Sequence, residues 1–369
     1  MSVELRVAAV RSILAENGWH AILITNPANR RYLTGFTADD HAADESSGAL
    51  VISQRTAELC VSPTNLSWAK SEVDQHVISV VATRESWVAS AAEHMESLGA
   101  GKVAVEDATT PAASWFTLQE TVGSAVILVR ANDAVDALRA QKTPEEVELL
   151  AQAASCTDQS FAHAVSRFKP GMTERQAADL VREALQKMGS DGEAFDTIVA
   201  AGTNAAKPHH RPGGYELQAN EPIIIDMGAR IDGYNGDLTR TVCLGKPEER
   251  LVTIYEAVLA AQAAGLGAIR SGIQASSPDL ASRDVFAGLG LENHVIHSAG
   301  HGLGLRVHEA PSVSKRATGL LESGNVVTME PGLYIPDWGG VRIEDVAVVE
   351  DDGYRNLTTA PKGIESMSI

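Results

Sequence analysis

Two pairs of acidic residues lie symmetrically about turn sequences, and this arrangement constrains how the second half of the chain can fold. The segment IIIDMGARIDGYNGDLTRTV predicts a β-hairpin that turns near residues 232–233, with Asp226 and Asp237 on either side of the turn. The segments VVTMEPGLYI and VRIEDVAVV are joined by the turn sequence PDWGG, which Glu330 and Glu344 flank. Since opposed residues of an antiparallel pair have numbers with a constant sum, each hairpin places its two carboxylates roughly across from each other.

The two carboxylate pairs indicate a bound cation, because directly opposed like charges are destabilising without one. A single Asp beside a hairpin is usually a turn residue, and a single Glu on a strand usually faces solvent. Asp226, however, follows three consecutive isoleucines, and Glu344 interrupts the apolar run from Val341 to Val349. Two such hairpins in one region of the chain therefore predict a metal site.

Histidines among small residues supply a nitrogen ligand for the same site. The segment HSAGHGLGLRVHEAP contains His297, His301 and His308, and the segment KPHHRPGG contains His209 and His210. Glycine lets the backbone approach a site closely, so three histidines within 12 residues of this composition favour a functional role.

Four carboxylates and one imidazole form a hard, oxygen-rich ligand set, made of Asp226, Asp237, His301, Glu330 and Glu344. Two divalent ions can share this set because a carboxylate has two oxygens and can bridge. Ions about 3.5–4 Å apart can activate a water and hold the oxygens of a reacting group at the same time. The set predicts a dinuclear metal hydrolase.

The chain has 369 residues, a length that predicts two domains. Up to about residue 130, short β-branched runs alternate with amphipathic stretches, which indicates an α/β domain. A charged, alanine-rich boundary follows at 130–142. Thr143 and Thr173 then open helices with capping boxes, and strand-rich segments come later, which indicates an α+β domain.

Charge and cysteine content limit the partners and the compartment. A formal charge of −18 argues against nucleic acid or an acidic membrane surface as a partner. Three widely separated cysteines predict reduced thiols and a cytoplasmic protein rather than a disulfide framework. The charged start of the chain predicts an amphipathic helix rather than a signal peptide, and no apolar run is long enough to predict a membrane span.

The motifs of the chain occur in a specific order, namely NPANRRYLTGF, LRAQKTPEEVELLAQAA, GTNAAKPHHRP, DMGARIDGYNGDLTRT, HSAGHGLGLRVHEAP, TMEPGLYI and VRIED. In this order and spacing the chain resembles the proline-specific metallopeptidases of the pita-bread fold, the aminopeptidase P and prolidase group. The resemblance implies an α/β creatinase-like N-terminal domain, residues 1–134. It also implies an α+β pita-bread catalytic domain, residues 135–369.

The resemblance also implies a role for each predicted ligand. Asp237 and Glu344 would bridge two ions, Asp226 would complete one ion, and His301 with Glu330 would complete the other. Glu330 would also act as general base for the bridging water. The ions implied are typically Mn²⁺, with Co²⁺ or Zn²⁺ as alternatives between which the ligand chemistry does not choose.

Four further residues take implied roles around these ligands. His209 and His308 correspond to histidines that contact the substrate and stabilise the tetrahedral intermediate. Thr239 and Arg342 are expected to hold neighbouring ligands in place by hydrogen bonds.

The implied reaction is hydrolysis of the bond between an N-terminal residue and proline, by an Xaa-Pro aminopeptidase or an Xaa-Pro dipeptidase. A dipeptidase must read the free carboxylate of its substrate, usually with Arg. Some prolidases carry an Arg where this chain has Ser312, which favours an aminopeptidase that accepts longer peptides. Arg211, Arg306 and a residue of the N-terminal domain remain candidates for reading the carboxylate.

Other functions of the same fold stay open at this point. A non-peptidase or metal-free member, such as a creatinase-like hydrolase or a binding protein, is the alternative, and the complete ligand set argues against it. Methionine aminopeptidase is disfavoured because the additional N-terminal domain is typical of the proline peptidases. The family's use of that domain in dimerisation implies a homodimer.

Overall fold

The computed structural model describes residues 2–40, 42 and 45–369 of the chain. The chain divides into two compact units, Met1–Arg139 and Ala140–Ile369. No helix of the described residues combines the length and the apolar character that crossing a membrane requires. The sequence boundary at 134/135 stays a prediction.

The first unit contains a mixed six-stranded sheet in the order β4-β3-β2-β1-β5-β6. Its strands are β1 (Ala21–Ile24), β2 (Ala49–Ser53), β3 (Ala57–Val61), β4 (Ser79–Ala82), β5 (Gly101–Val105) and β6 (Val126–Arg130). Its helices are α1 (Val3–Asn17), α2 (Pro27–Thr34), α3 (Leu66–Glu72), α4 (Trp87–Ser97) and α5 (Ala112–Thr121), and α6 (Ala134–Ala140) follows at the end of the unit. Parallel pairs such as β1–β5 and antiparallel pairs such as β1–β2 both occur. This is the α/β domain expected from the sequence.

Helices of the second unit begin where the sequence predicts caps. Thr143 accepts a hydrogen bond from the backbone of Glu146, whose side chain accepts one from the backbone of Thr143. Thr173 and Gln176 make the same reciprocal pair. Because two otherwise unpaired N–H groups are satisfied at each start, both predicted capping boxes are confirmed. The helices are α7 (Pro144–Val165), α8 (Glu174–Lys187), α9 (Glu249–Gly267) and α10 (Ser277–Gly288).

The strands of the second unit form four antiparallel sheets, in the orders β12-β9-β8, β14-β13-β15-β18-β19, β16-β17 and β11-β10-β7. Their bounds are β7 (Gly192–Glu193), β8 (Ile198–Ala201), β9 (Ile223–Met227), β10 (Ala229–Ile231), β11 (Tyr234–Asn235), β12 (Leu238–Val242), β13 (Gly300–Gly302), β14 (Glu309–Val313), β15 (Val326–Met329), β16 (Gly332–Ile335), β17 (Gly339–Arg342), β18 (Asp345–Glu350) and β19 (Gly353–Asn356). The α+β architecture predicted from the order of helices and strands is confirmed.

Strand alternation on β9 separates the helix-packed core from the site. Ile223, Ile225 and Met227 pack in one apolar cluster with residues of α7 and α8. Ile224, one position out of phase, packs in a different cluster that contains Tyr334. Since side chains of a strand alternate between faces, Asp226 lies on the Ile224 face, away from α7 and α8.

The first hairpin turns at the predicted dipeptide but with a different register. Asp232 and the glycine after it have φ values of 46° and 78°, which are typical of a two-residue hairpin turn. The ladder therefore pairs Asp226 with Thr239. The expectation that Asp226 and Asp237 lie roughly opposite is wrong by two residues. Because a shift of two keeps the same face, Asp237 lies diagonally across from Asp226.

The second pair of carboxylates lies opposite, as the sequence predicts, but inside an interruption of the sheet. Gly332 pairs with Arg342 on one side of the gap and Met329 pairs with Asp345 on the other, so both ladders share one register. Between them, the N–H of Glu330 donates to Ala299 and that of Glu344 donates to Thr239. Each glutamate is thus bonded by its backbone to a further strand or loop, which fixes both side chains at the gap.

Candidate metal centre

A cavity of about 540 Å³ opens in the second unit at the point where these strands meet. Its lining consists of Phe195, Ile198, Pro208, His209, Asp226, Asp237, His297, Ser298, Gly300, His301, Val307, His308, Ser312, Glu330, Arg342 and Glu344. The five residues predicted as ligands, the two predicted substrate histidines and Arg342 all line this one cavity. Such a concave site with a few converging polar groups is typical of an active site.

Separate elements bring the predicted ligands together. Asp226 is on β9, and Asp237 immediately precedes β12. His301 is on β13, Glu330 directly follows β15, and Glu344 stands between β17 and β18. Because these positions belong to several strands of different sheets, the site forms only when the second unit is folded.

Three of these side chains form a compact group. Asp237, His301 and Glu344 each offer a ligand atom, and these atoms all lie within 4.8 Å of one another. His301 Nε2 also lies 3.2 Å from Glu330 Oε1 and 3.8 Å from Asp237 Oδ2. A cluster of hard oxygen donors with one imidazole matches the coordination preferences of a borderline-hard divalent ion.

One carboxylate oxygen at the site gives an independent sign that a cation belongs there. Asp226 Oδ1 is buried and has no hydrogen-bond partner among the described residues. Its other oxygen accepts from Arg342 Nη2 over 2.6 Å. A buried oxygen without a partner costs free energy, and a metal ion would satisfy it. The residues present therefore fit a divalent metal.

The buried carboxylates strongly disfavour their charged forms in the metal-free protein. Burial, followed by the charge of Glu344, raises the pKa of Asp237 well above its ordinary range. Burial, followed by the charge of Glu330, does the same to the pKa of Glu344. Burial also raises the pKa of Asp226, although Arg342 opposes the shift. A bound cation would reverse this preference because it stabilises the carboxylate anions.

Glu330 and His301 form the one oppositely charged pair within the predicted ligand set. Burial acts to raise the pKa of Glu330, but the hydrogen bond and charge of His301 prevail and lower it to about 2. Burial acts to lower the pKa of His301, and Glu330 with Glu344 instead raises it to about 9. In the metal-free protein at neutral pH, Glu330 is therefore ionised and His301 is protonated.

The ring orientation of His301 suits a metal ligand. His301 Nδ1 lies 3.1 Å from the carbonyl oxygen of Gly302, which can only accept a hydrogen bond. The Nδ1 nitrogen therefore carries a hydrogen, and Nε2 points toward Glu330 and Asp237. Once deprotonated, Nε2 has a lone pair directed at the carboxylates, as histidine ligands held by a backbone carbonyl do.

Arg342 and Thr239 hold two of the carboxylates from behind the cavity. Arg342 Nη2 donates to Asp226, and its Nε donates to Thr239 Oγ1 over 3.0 Å. Thr239 Oγ1 in turn donates to Glu344 Oε2 over 2.7 Å. All of these groups are buried or half-buried, so the chain from Arg342 to Glu344 fixes the two carboxylates relative to each other.

His297 and Tyr334 are site residues to which the sequence assigned no role. His297 Nδ1 lies 2.6 Å from the carbonyl oxygen of Ser298, and its Nε2 lies 2.8 Å from the Tyr334 hydroxyl. That hydroxyl accepts from Arg342 Nη1 over 2.8 Å, so its own hydrogen is available to His297. Burial lowers the pKa of His297. The motif HSAGHG gave a signal for His297, whereas a single Tyr in a strand gave none.

The two predicted substrate histidines lie at the exposed side of the cavity. His209 and His308 are both exposed. The His308 ring stands nearly perpendicular to the His301 ring, with centroids 4.3 Å apart, and burial followed by the charge of His301 lowers its pKa. Ser312 lines the cavity as well, whereas Arg211 and Arg306 are exposed and are not part of its lining.

Comparison with known proteins identifies the family and the fold of this chain. A model described as Metallopeptidase family M24 matches residues 148–351, more than half of the chain. The chain belongs to metallopeptidase family M24. A model of the Creatinase/Prolidase N-terminal domain matches residues 6–141 of the same M24 protein. The resemblance to the proline-specific pita-bread metallopeptidases, the fold class and the assignment as a metal-dependent hydrolase are confirmed.

Full-length relatives and solved structures support the same family. The M24 chain is 34% identical to an uncharacterized peptidase of Bacillus subtilis over 358 aligned residues. The alignment covers 97% of this chain and 99% of the relative. It is similar to Xaa-Pro dipeptidase from Bacillus anthracis, with a TM-score of 0.92 and 31% identity over 100% of both chains. It is also similar to X-Pro aminopeptidase from Thermotoga maritima, with a TM-score of 0.89 and 28% identity over 98% of this chain and 99% of that one.

Proposed function

We propose that this M24 enzyme hydrolyses the peptide bond between an N-terminal residue and proline, using two divalent ions. The observation that carries the proposal is the convergence of four carboxylates and His301 in one cavity that three more histidines border. Ordinary peptidases handle this bond poorly because proline lacks an N–H and restricts the residue before it. A dedicated site is therefore needed for such peptides.

In the proposed assignment, Asp237 and Glu344 would contribute to holding both ions. Asp226 would complete the ligands of one ion, and His301 with Glu330 those of the other. The close approach of Asp237, His301 and Glu344, and the unpaired oxygen of Asp226, support these roles. Bound divalent ions would supply a water of lowered pKa and polarise the scissile carbonyl.

Glu330 is proposed as the general base. Its carboxylate lines the cavity among the other proposed ligands, where it can accept the proton of the attacking water. It then returns a proton to the departing proline nitrogen, which must be protonated before it leaves. Its position directly after β15, with its N–H bonded to Ala299, holds the carboxylate in place for both transfers.

His209 and His308 are proposed to donate hydrogen bonds to the oxyanion that develops on the substrate carbonyl. An imidazole at such a position contributes on the order of 3 kcal/mol to the transition state. Apolar lining residues complete the pocket on the substrate side and are suited to the ring of proline, which lacks hydrogen-bonding groups. They are Phe195, Ile198, Pro208 and Val307.

We propose that peptides longer than two residues are accepted. Among the described residues that line the cavity, the only permanently charged cation is Arg342. Its nitrogens already donate to Asp226, Thr239 and Tyr334. The cavity therefore offers no free guanidinium for the terminal carboxylate of a dipeptide, and Ser312 occupies the position where some prolidases have Arg.

The metal, assembly and compartment complete the proposal. Mn²⁺ is proposed as the native ion on the basis of the oxygen-rich ligand set. A homodimer is proposed because residues 6–141 match the Creatinase/Prolidase N-terminal domain, which the resemblance implies to mediate dimerisation. A cytoplasmic location is proposed because Cys60, Cys156 and Cys243 are all free and buried.

The decisive experiment is a rate comparison on metal-reconstituted enzyme with Xaa-Pro peptides of two to five residues. We expect cleavage after the first residue in all of them, with tripeptides at least as fast as the dipeptide. An Xaa-Ala series is the matched control and should not be cleaved at a comparable rate. Absence of any Xaa-Pro cleavage, with no divalent ion bound, would favour the non-peptidase alternative. A monomer in light scattering at working concentration would contradict the dimer.

A further inference from the structure

Buried ion pairs also occur in the same unit outside the predicted ligand set, and one of them joins Lys142 to Glu309. Lys142 Nζ lies 2.7 Å from Glu309 Oε1, and the two side chains are only 1% and 3% exposed. Taking both charges out of water costs free energy that only close pairing and further hydrogen bonds offset. Lys142 and Glu309 are 167 residues apart in the chain. We therefore asked which nearby group their ion pair holds in place.

The carboxylate of Glu309 is the internal anchor of the loop that carries His308. Its Oε2 accepts from the backbone N–H of Arg306 over 3.3 Å. The loop passes so close that a Cβ on Gly304 would overlap the same carboxylate. Gly304 is itself fixed, because its carbonyl accepts from the backbone and side chain of Asn235. The loop from Gly304 to Glu309 is thus folded around one buried anion.

Lys142 is held in place on the other side of the pair. Its backbone N–H donates to Gly324 over 2.9 Å, and its ammonium group also donates to the carbonyl of Ala140. Asn325 Nδ2 donates to the same carbonyl over 3.0 Å. Residues 324 and 325 directly precede β15, the strand that Glu330 directly follows. The ammonium therefore has a fixed position relative to the strand that leads to the proposed base.

The anchored loop delivers two side chains to the cavity. Val307 and His308 immediately precede Glu309, and both line the cavity. The His308 ring lies against that of His301, with centroids 4.3 Å apart. His308 itself is exposed, so packing alone does not determine where its ring lies. The buried carboxylate of Glu309, the next residue in the chain, is the fixed group that determines where the His308 ring lies.

We infer that Lys142 is a positioning residue for the reaction, which acts through Glu309 to place His308 at the substrate carbonyl. This inference rests on the proposed function and deepens it, since it names the group that sets the geometry of one oxyanion donor. Without the ammonium, the anion at the centre of the loop loses its buried countercharge and moves toward water. His308 then moves with it, while the five predicted metal ligands keep their own supports.

The test is a comparison of Lys142→Met in two backgrounds, wild type and His308→Ala, with Mn²⁺-loaded enzyme and an Xaa-Pro-Xaa peptide. In the wild-type background we expect kcat to fall at least tenfold and KM to change less than twofold. This split is expected because an oxyanion donor acts only in the transition state. In the His308→Ala background we expect Lys142→Met to lower kcat less than twofold. An equal fall in both backgrounds, or no fall in wild type, would overturn the inference.

Controls separate positioning from general destabilisation. Bound metal per chain is expected to equal that of wild type, and Arg355→Met, which breaks the exposed pair between Arg355 and Glu350, is expected to leave kcat unchanged. If Lys142→Met does not fold, Lys142→Gln removes the positive charge and keeps a hydrogen-bond donor to Glu309. The same dependence on His308 is then required of that variant.

An activity-independent measurement distinguishes failure of this inference from failure of the proposed function. In protein loaded with diamagnetic Zn²⁺, the imidazole signals of His308, assigned by their loss in His308→Ala, are expected to shift in Lys142→Met. Those of His163, which lies on α7, are expected not to shift. Unmoved His308 signals would overturn the inference whatever the activity. A wild-type enzyme that does not cleave Xaa-Pro peptides would instead contradict the proposed function.

Discussion

Arg342 and Asp226 share one hydrogen bond of 2.6 Å, and that bond leaves the second oxygen of Asp226 buried without a partner among the described residues. The arginine thus does two things to this carboxylate. It supplies a positive charge that offsets part of the cost of burial, and it turns the free oxygen into the cavity. Because Asp226 keeps one oxygen for the arginine, one remains for a metal ion.

Replacement of Arg342 should weaken metal binding more than it changes the fold. Arg342→Met removes the donors to Asp226, Thr239 and Tyr334 together, and we expect a loss of about 10–100-fold in metal affinity. Arg342→Lys should recover little, because one ammonium cannot reproduce the planar set of donors. Isothermal titration with Mn²⁺ measures the effect, with Arg355→Met as control. Unchanged affinity in Arg342→Met would contradict the role assigned to this residue.

Replacement of a proposed ligand should abolish turnover in a folded protein. Asp237→Ala and Glu330→Ala are each expected to lower kcat/KM by roughly 10³-fold or more, the scale seen when a group acting on the reacting atoms is lost. Circular dichroism should stay native, because the backbone bonds of these strands do not use the carboxylates. Asp352→Ala, at an exposed acidic position, is the matched control. Near-wild-type activity in either ligand variant would refute the assignment of the site.

Metal removal should abolish activity and make stability depend on pH. The raised pKa values of Asp237, Glu344 and His301 mean that the folded, metal-free protein binds protons more tightly than the unfolded chain. Their contribution to the stability of the folded protein is complete at low pH and is lost as pH rises. For His301, this loss occurs between its ordinary pKa of 6.5 and its raised pKa of about 9. The lowered pKa of Glu330 acts only below pH 4.5, its ordinary pKa.

The Tm of the EDTA-treated protein should therefore fall from pH 6.5 to pH 8.5, above the range in which the lowered pKa values of His297 and His308 act in the opposite direction. The Mn²⁺-loaded protein should show a growing Tm advantage over the same interval, because binding requires deprotonated ligands. Differential scanning calorimetry at several pH values measures both, and added Mn²⁺ should restore peptidase activity. A metal-free Tm that rises with pH would show that these groups are not buried together as described.

The glycine before His301 should be intolerant of a side chain. A Cβ on Gly300 would overlap the backbone carbonyl of Thr328, the residue whose hydroxyl accepts from the N–H of His301. We expect Gly300→Ala to lower the free energy of unfolding by about 1–3 kcal/mol and to weaken metal binding, because strand β13 must shift. Gly319→Ala, where a Cβ meets nothing within 4 Å, is the control. Equal stability of the two variants would contradict the close packing at β13.

Local signals in the sequence predicted the candidate ligands better than the residues that hold those ligands in place. The capping boxes and the turn at Asp232 depend on neighbouring residues and could be predicted, and the symmetric placement of Glu330 and Glu344 followed from a single turn. The pairing of Asp226 was wrong by two residues because a turn on residues 232–233 pairs residues whose numbers sum to 465, which places Thr239 opposite Asp226. A shift of two preserved the face, so the predicted convergence of the side chains did not depend on that error.

Contacts between distant parts of the chain could not be predicted. Tyr334 reaches His297 only because two strands and a loop fold together, and a single tyrosine carries no periodic signal. Lys142 lies in a motif that the sequence identified, but its partner Glu309 is far away in the chain. The backbone hydrogen bond from Glu330 to Ala299, at the point where the sheet is interrupted, likewise depends on how the loop that contains Ala299 packs. Such pairings are decided by tertiary structure rather than by local preference.

The interruption of the sheet at Glu330 and Glu344 affects how proteins descended from this one could change. The strands around it are closed by backbone bonds to Ala299 and Thr239, and neither bond requires a carboxylate. A descendant that lost one of these side chains would forfeit the chemistry and keep the architecture. It would still possess a pocket bordered by imidazoles and apolar groups, shaped for the same short peptides. In such a lineage, a single substitution would convert the hydrolase into a peptide-binding protein without catalytic activity.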